Sequence, residues 1–329
     1  MLTPPSDPSP PSSPALPGHA TIREVGLRDG LQSIARIMPT AQKIEWIRAA
    51  WEAGQREIEV GSFVPARLLP QLADTAEVLA FAQTLPGLVA SVLVPNVKGA
   101  ERAIDCGADS MLVPLSVSHA HSLANLRKTP DEVLEIIRQI VKLRDQTGAA
   151  TRIEIGLSTA FGCTIQGKVE TAEVQRLLRA VIDAGVDHVG LADTVGYADP
   201  AMVRHLFEQC LPIAGDKLNC GHFHDTRGLG LANVYAAMQV GITRFDACLA
   251  GIGGCPHAPG ASGNVSTEDL AGMLLSMGIE TGIDFNQLMA LRAQVAVWLE
   301  GETLHGTLWR AGLAKTVMQA HTRTEVMAA

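Results

Sequence analysis

Short apolar runs rich in Val, Ile and Leu recur along the chain from Thr21, and each precedes a longer stretch with apolar positions at helical spacing, at intervals of roughly 30 residues. This is the rhythm of βα units. The strand segments are 21–29 (TIREVGLRD), 56–63 (REIEVGSF), 88–94 (LVASVLV), 110–116 (SMLVPLS), 151–159 (TRIEIGLST), 188–193 (HVGLAD), 217–225 (KLNCGHFHD) and 244–252 (RFDACLAGI). Helix-start signals fall between them: Pro39 and Thr40, Thr129 and Pro130, Thr171, and Asp199 and Pro200, each ahead of an apolar stripe able to lie on a sheet. Alternation sustained eight times, with near-continuous apolar strands, predicts a closed (β/α)8 TIM barrel over residues 20–283 rather than an open doubly wound sheet. Residues 284–329 then form a C-terminal helical extension that covers one barrel mouth or joins subunits. A barrel also demands that its chemistry lie at the carboxyl ends of the strands.

The first nineteen residues, MLTPPSDPSPPSSPALPGH, are dominated by Pro and Ser, lack the apolar run of a signal peptide, and are expected to be a disordered tail. With 329 residues, 47% of them hydrophobic, the remainder can bury one large core, although two compact domains also fit the length. A formal net charge of -8 leaves no basic face for nucleic acid. No stretch approaches the ~18 consecutive apolar residues of a membrane helix. The six cysteines, Cys106, Cys163, Cys210, Cys220, Cys248 and Cys255, have no paired spacing, which suits reduced thiols in a cytoplasm.

The densest chemical signal is CGHFHD, 220–225. His222 and His224 are two apart at the end of a predicted strand, so both imidazoles can face the barrel mouth and hold one cation. A pair of hydrogen-bonded histidines beside a loop is the structural alternative. Asp29, Glu59 and Asp193 occupy the corresponding regions of strands one, two and six, and a shell of His, carboxylate and carbonyl groups suits Mg²⁺ or Mn²⁺ better than structural zinc. The loop 250–264, AGIGGCPHAPGASGN, carries five glycines directly after the last strand and can change shape over a ligand, with Cys255 at its centre as a candidate acid, base or nucleophile. Arg28, always charged, can bind a carboxylate or stabilise an enolate oxygen; a surface ion pair with Asp29 is the plain alternative.

Together, VGLRDGLQS, IEVGSFV, LADTVG, HFHDTRG, AGIGGCP and GASGNVSTEDL resemble the hydroxymethylglutaryl-CoA lyase family of the DRE-TIM metallolyases, over residues 21–285. The resemblance implies that Asp29, His222, His224 and Asn264 ligate a divalent cation, Mg²⁺ or Mn²⁺. It implies that Arg28 stabilises a thioester enolate, that Glu59 and Asp193 position groups around the cation and the proton relay, that His222 belongs to the catalytic set, and that Cys255 acts in acid/base chemistry. Gln32, Asn96 and Thr159 join Arg28 around an acyl-CoA substrate. The implied reaction is retro-Claisen cleavage of 3-hydroxy-3-methylglutaryl-CoA to acetyl-CoA and acetoacetate, by a homodimer or higher homo-oligomer.

Departures from the family pattern gather around the expected acyl pocket. His257 follows GGCP, Arg227 and Leu229 alter HDTYGQ, GCTI (162–165) replaces GCPY, and His119 and His121 stand between Ser118 and Asn125 where Glu and an aromatic residue are usual. Another branched 3-hydroxyacyl-CoA, such as a 3-alkylglutaryl thioester, is therefore a rival substrate. A Claisen-type condensing enzyme and a catalytically silent CoA-binding scaffold are the rival functions. Lys98, Lys168, Arg127 and Lys128 are candidate partners for CoA phosphates, or ordinary surface charges.

Overall fold

A computed structural model describes residues 16–254 and 263–317. Its strands are β1 (Thr21–Glu24), β2 (Glu57–Ser62), β3 (Val89–Leu93), β4 (Ser110–Ser116), β5 (Arg152–Ser158), β6 (His188–Asp193), β7 (Leu218–Phe223) and β8 (Arg244–Ala247). They form one closed parallel barrel in sequence order, β8 pairing back onto β1 through Thr21↔Arg244 to Glu24↔Ala247. The expected (β/α)8 barrel is present; most strands match the expected segments to within one or two residues at each end, and two stop well short. β1 stops at Glu24 instead of reaching Asp29, and β8 stops at Ala247 instead of reaching Ile252. In both places the chain leaves the ladder for a turn, Gly26–Gly30 and Leu249–Gly251 respectively.

The helices begin where the sequence provides caps. In helix Pro130–Thr147, Thr129 Oγ1 accepts from the Glu132 N–H (3.2 Å) and Glu132 Oε2 accepts from the Thr129 N–H (2.7 Å), a capping box worth about 1 kcal/mol. Asp199 caps helix Pro200–Ala214 through the N–H groups of Ala201 and Met202. Thr171 differs from expectation: it is the first helical residue of Thr171–Asp183 and makes no side-chain cap. Val133, Leu134, Ile137, Ile140 and Val141 form the buried stripe of the longest of these helices, against outward-facing strand residues such as Met111 and Ile153.

Helix Phe285–Trp298 lies on the barrel's flank against helices Thr40–Glu52 and Thr267–Ser276. The chain then returns to the carboxyl-end rim, where the His305 N–H reaches the Ala250 carbonyl (2.8 Å). Among the described residues no helix is long and apolar enough to cross a membrane, and Cys106, Cys163, Cys210, Cys220 and Cys248 are free thiols. The expected disordered tail lies almost wholly outside the described residues.

One buried carboxylate ties the rim together. Glu24, fully buried, accepts from the N–H groups of Gly26 (2.8 Å) and Leu249 (2.9 Å) and from the Thr267 hydroxyl (2.7 Å). Burial is the largest cause pushing its carboxyl up to about 7, and nearby Glu268 adds to it against these hydrogen bonds. A raised acid pKa gives stability that is full below the unfolded value, near 4.5, and declines until pH passes about 7. Glu24→Gln keeps the acceptor and removes the titration. Its stability relative to the unsubstituted protein is therefore expected to improve by roughly 3 kcal/mol between pH 4 and pH 8 in denaturant melts. An unchanged difference across that range would contradict the assignment.

Candidate metal and active site

The turn after β1 presents two charged groups at the mouth. Arg28 and Asp29 direct their N–H groups at the Val25 carbonyl (3.1 and 2.7 Å), and the Gly30 N–H reaches the same oxygen (3.3 Å), closing a wide π-type turn of the kind that recurs at functional sites. Gly30 is required there, because a Cβ would stand 2.7 Å from Ile252. Asp29 is thus placed by this turn and not by a strand end.

Across the mouth, β7 delivers His222, and His224 follows one residue beyond its end. The far limb of the glycine-rich loop is stitched to the same place: Asp225 donates its N–H to Gly263 (2.9 Å), Val265 to Phe223 (3.1 Å), and His224 bridges to Asn264. Asp29, His222 and His224 thereby bring one ligand atom each within 4.8 Å of one another. The His222 and His224 Nε2 atoms face each other at 3.1 Å, and Asn264 Nδ2 donates to Asp29 Oδ2 at 2.6 Å.

This set fits a divalent cation. With Nδ2 directed at Asp29, the buried Oδ1 of Asn264 has no hydrogen-bond partner among the described residues, an arrangement that costs about 1–3 kcal/mol without a positive group. Burial, reinforced by the neighbouring His222, pushes the His224 imidazole down to about 3, so it is neutral with a lone pair. Burial alone would raise Asp29, but the charge of Arg28, then that of His222, hold it near 2 and ionised. One carboxylate, two imidazoles and an amide oxygen, with no thiolate among the described residues, favour a hard or borderline cation.

His222 is oriented from behind by Asp246, whose Oδ2 lies 3.1 Å from Nδ1, leaving Nε2 toward the site. Burial works against protonation of this imidazole, yet the Asp246 carboxylate outweighs it and raises the pKa. Asp246 is in turn gripped by Arg23 (2.7 and 2.9 Å), which also reaches Glu154 (3.0 Å), while Arg244 joins Glu154 (3.0 Å) to Glu57 (2.6 Å). Sequence reasoning missed this network. Its signal was present in RFDA, where Arg244 and Asp246 occupy alternate positions of an apolar strand and so share its inner face. Asp246→Asn is expected to weaken Mn²⁺ binding about 10–100-fold in a titration, with the circular dichroism of the barrel retained.

Arg28 is 6% exposed and lies between two carboxylates: Nη1 donates to Asp29 Oδ1 (2.6 Å), and Nε lies 2.7 Å from Glu59 Oε2 as an ion-pair contact without an aligned hydrogen bond. Glu59 lies within β2, where burial raises its carboxyl against the charge of Arg28. Asp193 ends β6 and accepts from the N–H groups of Tyr197 (2.8 Å) and Ala198 (3.1 Å); burial pushes it up to about 6. Gln32 donates to Asp29 Oδ1 (3.1 Å).

The other expected site residues have local structural tasks. Asn96 Oδ1 caps helix Val97–Asp105 through the Gly99 N–H (3.0 Å). Thr159, at φ 57, is buried; its hydroxyl donates to the Ser158 carbonyl (2.6 Å) and accepts from the Ser118 N–H (3.1 Å), tying the loops after β4 and β5 together. His121 is buried with Nδ1 2.8 Å from Ser116 Oγ. Lys168 pairs with Glu170 in solvent (2.9 Å). Cys255 and His257 lie outside the described residues, while Gly253 just before them is fixed at φ 108 with no room for a Cβ beside Asn264 Nδ2.

Residues 19–295 match the HMGL-like family model. A hydroxymethylglutaryl-CoA lyase of Bacillus subtilis is 38% identical over 284 residues, 86% of this chain and 93% of its own length. The hydroxymethylglutaryl-CoA lyase of Pseudomonas mevalonii is 37% identical over 300 residues, 90% of this chain and 97% of its own. Among solved structures, an HMG-CoA lyase from Acinetobacter baumannii in complex with coenzyme A and 3-methylmalate superposes with a TM-score of 0.85 at 38% identity, covering 91% of this chain and 96% of that one.

Proposed function

This chain belongs to the HMGL-like family, and from that premise we propose that it cleaves 3-hydroxy-3-methylglutaryl-CoA to acetyl-CoA and acetoacetate with a bound Mg²⁺ or Mn²⁺. The observation that carries the reading is the convergence of Asp29, His222, His224 and Asn264 Oδ1, which has no hydrogen-bond partner among the described residues, beside a buried, clamped Arg28.

Asp29, His222, His224 and Asn264 would hold the cation, which supplies Lewis-acid polarisation of substrate oxygens when bound. In the reaction the C3 hydroxyl loses its proton to a base, the C2–C3 bond breaks, C3 becomes the ketone of acetoacetate, and the electron pair remains as the thioester enolate of acetyl-CoA. Arg28 is set to meet that oxyanion: Glu59 and Asp29 hold its guanidinium in place before charge develops, so little reorganisation is needed in the transition state. Burial keeps the carboxyl of Asp193 near 6, suited to passing a proton at neutral pH. Cys255, carried on the loop whose far limb is anchored at Asn264, is assigned the proton transfer that completes turnover at C2.

Turnover in D₂O tests the bond order. The acetyl-CoA released is expected to carry one deuterium in its methyl group, with one acetoacetate per acetyl-CoA. Unlabelled acetyl-CoA, or acetyl-CoA formed without acetoacetate, would reject the retro-Claisen course.

A further inference from the structure

The inner wall formed by β4, β5 and β6 differs from the rest of the barrel. Glu154 of β5 crosses the interior to Arg23 of β1 (3.0 Å), so Gly156 and Ser158, two and four residues on, also face inward. The register Leu112↔Glu154, Pro114↔Gly156, Ser116↔Ser158 and Gly156↔Gly190 extends that inner face to Leu112, Pro114 and Ser116 on one side and to Gly190 and Ala192 on the other. Ala192 pairs with His222, so this wall adjoins the metal-binding group. The outward residues Ile153, Ile155 and Leu157 are fully buried, whereas Pro114, Gly156 and Ser158 are partly exposed although they point into the barrel. They border a space open to solvent within it.

Gly156 identifies that space as retained. Its φ is ordinary, and among the described residues a Cβ there would meet only Leu112 Cδ1 at 3.6 Å, a normal contact. Gly190 beside it is different, because its Cβ would crowd Cys220 at 3.2 Å. A glycine inside a strand is destabilising relative to alanine and commonly marks close approach of a ligand; neither backbone geometry nor packing demands one at 156. The charged groups below are already matched, Arg23 and Arg244 with Glu154, Asp246 and Glu57, so the wall offers an occupant apolar or neutral surface.

We propose that this space is an acyl subsite for an uncharged alkyl group larger than methyl at C3 of the substrate, making 3-hydroxy-3-alkylglutaryl-CoA thioesters the substrate class. The proposal rests on the lyase reading above. The bond changes are those already given; only the released 3-oxo acid is longer.

The test compares kcat/KM for the 3-methyl and 3-propyl thioesters in the unsubstituted enzyme, Gly156→Ala and Gly156→Val. Burial of two further methylenes is expected to favour the propyl substrate about 10-fold in the unsubstituted enzyme. Filling the space is expected to lower that ratio about 3-fold in Gly156→Ala and to below about 1 in Gly156→Val. Gly156→Ala, which has room for its methyl group, keeps the test decisive if the valine variant does not fold. A propyl-to-methyl ratio at or below 1 in the unsubstituted enzyme, or one unmoved by Gly156→Ala, overturns the subsite while leaving the lyase reading in place. Cleavage of neither thioester overturns the lyase reading itself.

Discussion

Arg28→Lys is expected to lower kcat for 3-hydroxy-3-methylglutaryl-CoA by about 10²–10³-fold, with KM changed only a few-fold and Mn²⁺ affinity largely kept. The charge survives this exchange, so Asp29 and Glu59 are not left as uncompensated buried carboxylates. What disappears is the planar fork that contacts Asp29 through Nη1 and Glu59 through Nε at once. A single ammonium cannot keep both contacts and still aim a donor at the enolate oxygen. If steady-state kinetics instead showed a raised KM with unchanged kcat, Arg28 would bind substrate and transition state equally and its assigned role would be wrong.

The second large effect is expected at His222. His222→Ala should reduce Mn²⁺ affinity beyond about 100-fold and turnover beyond about 10³-fold, since several kcal/mol of transition-state stabilisation depend on the held cation. The barrel should survive, because Asp246 remains paired with Arg23 after the imidazole is gone. Electron paramagnetic resonance of Mn²⁺ titrated into the variant separates the two effects. Normal Mn²⁺ binding in an inactive variant would remove His222 from the ligand set and make it a proton carrier instead.

The barrel was legible because each strand carries apolar residues on the face that its helices cover and the helices announce their starts, as the Thr129 and Asp199 caps show. The ends of β1 and β8 were not, because apolar residues continue past them, Val25 and Leu27 after β1 and Leu249, Ala250 and Ile252 after β8, while the backbone turns away from the ladder. Periodicity senses burial, and both turns are buried. His222 and His224 could be paired from their spacing alone. Their meeting with Asp29 depends on the closure of β8 onto β1, which no local pattern encodes. Asp246 was hidden for the same reason: a lone acid in an apolar strand gains meaning only when Arg23 and His222 arrive from neighbouring strands. Thr159 and Asn96 show the opposite limit, since polar residues at strand ends also serve as loop ties and helix caps.

The most direct test is acetyl-CoA release from 3-hydroxy-3-methylglutaryl-CoA by enzyme stripped of metal with EDTA, before and after Mg²⁺ or Mn²⁺ is added back, with Cys255→Ala in parallel. The predicted result is no turnover without metal, full recovery on adding it, and a loss of at least about 10²-fold in Cys255→Ala at undiminished metal affinity. Undiminished cleavage by the stripped enzyme would contradict the account.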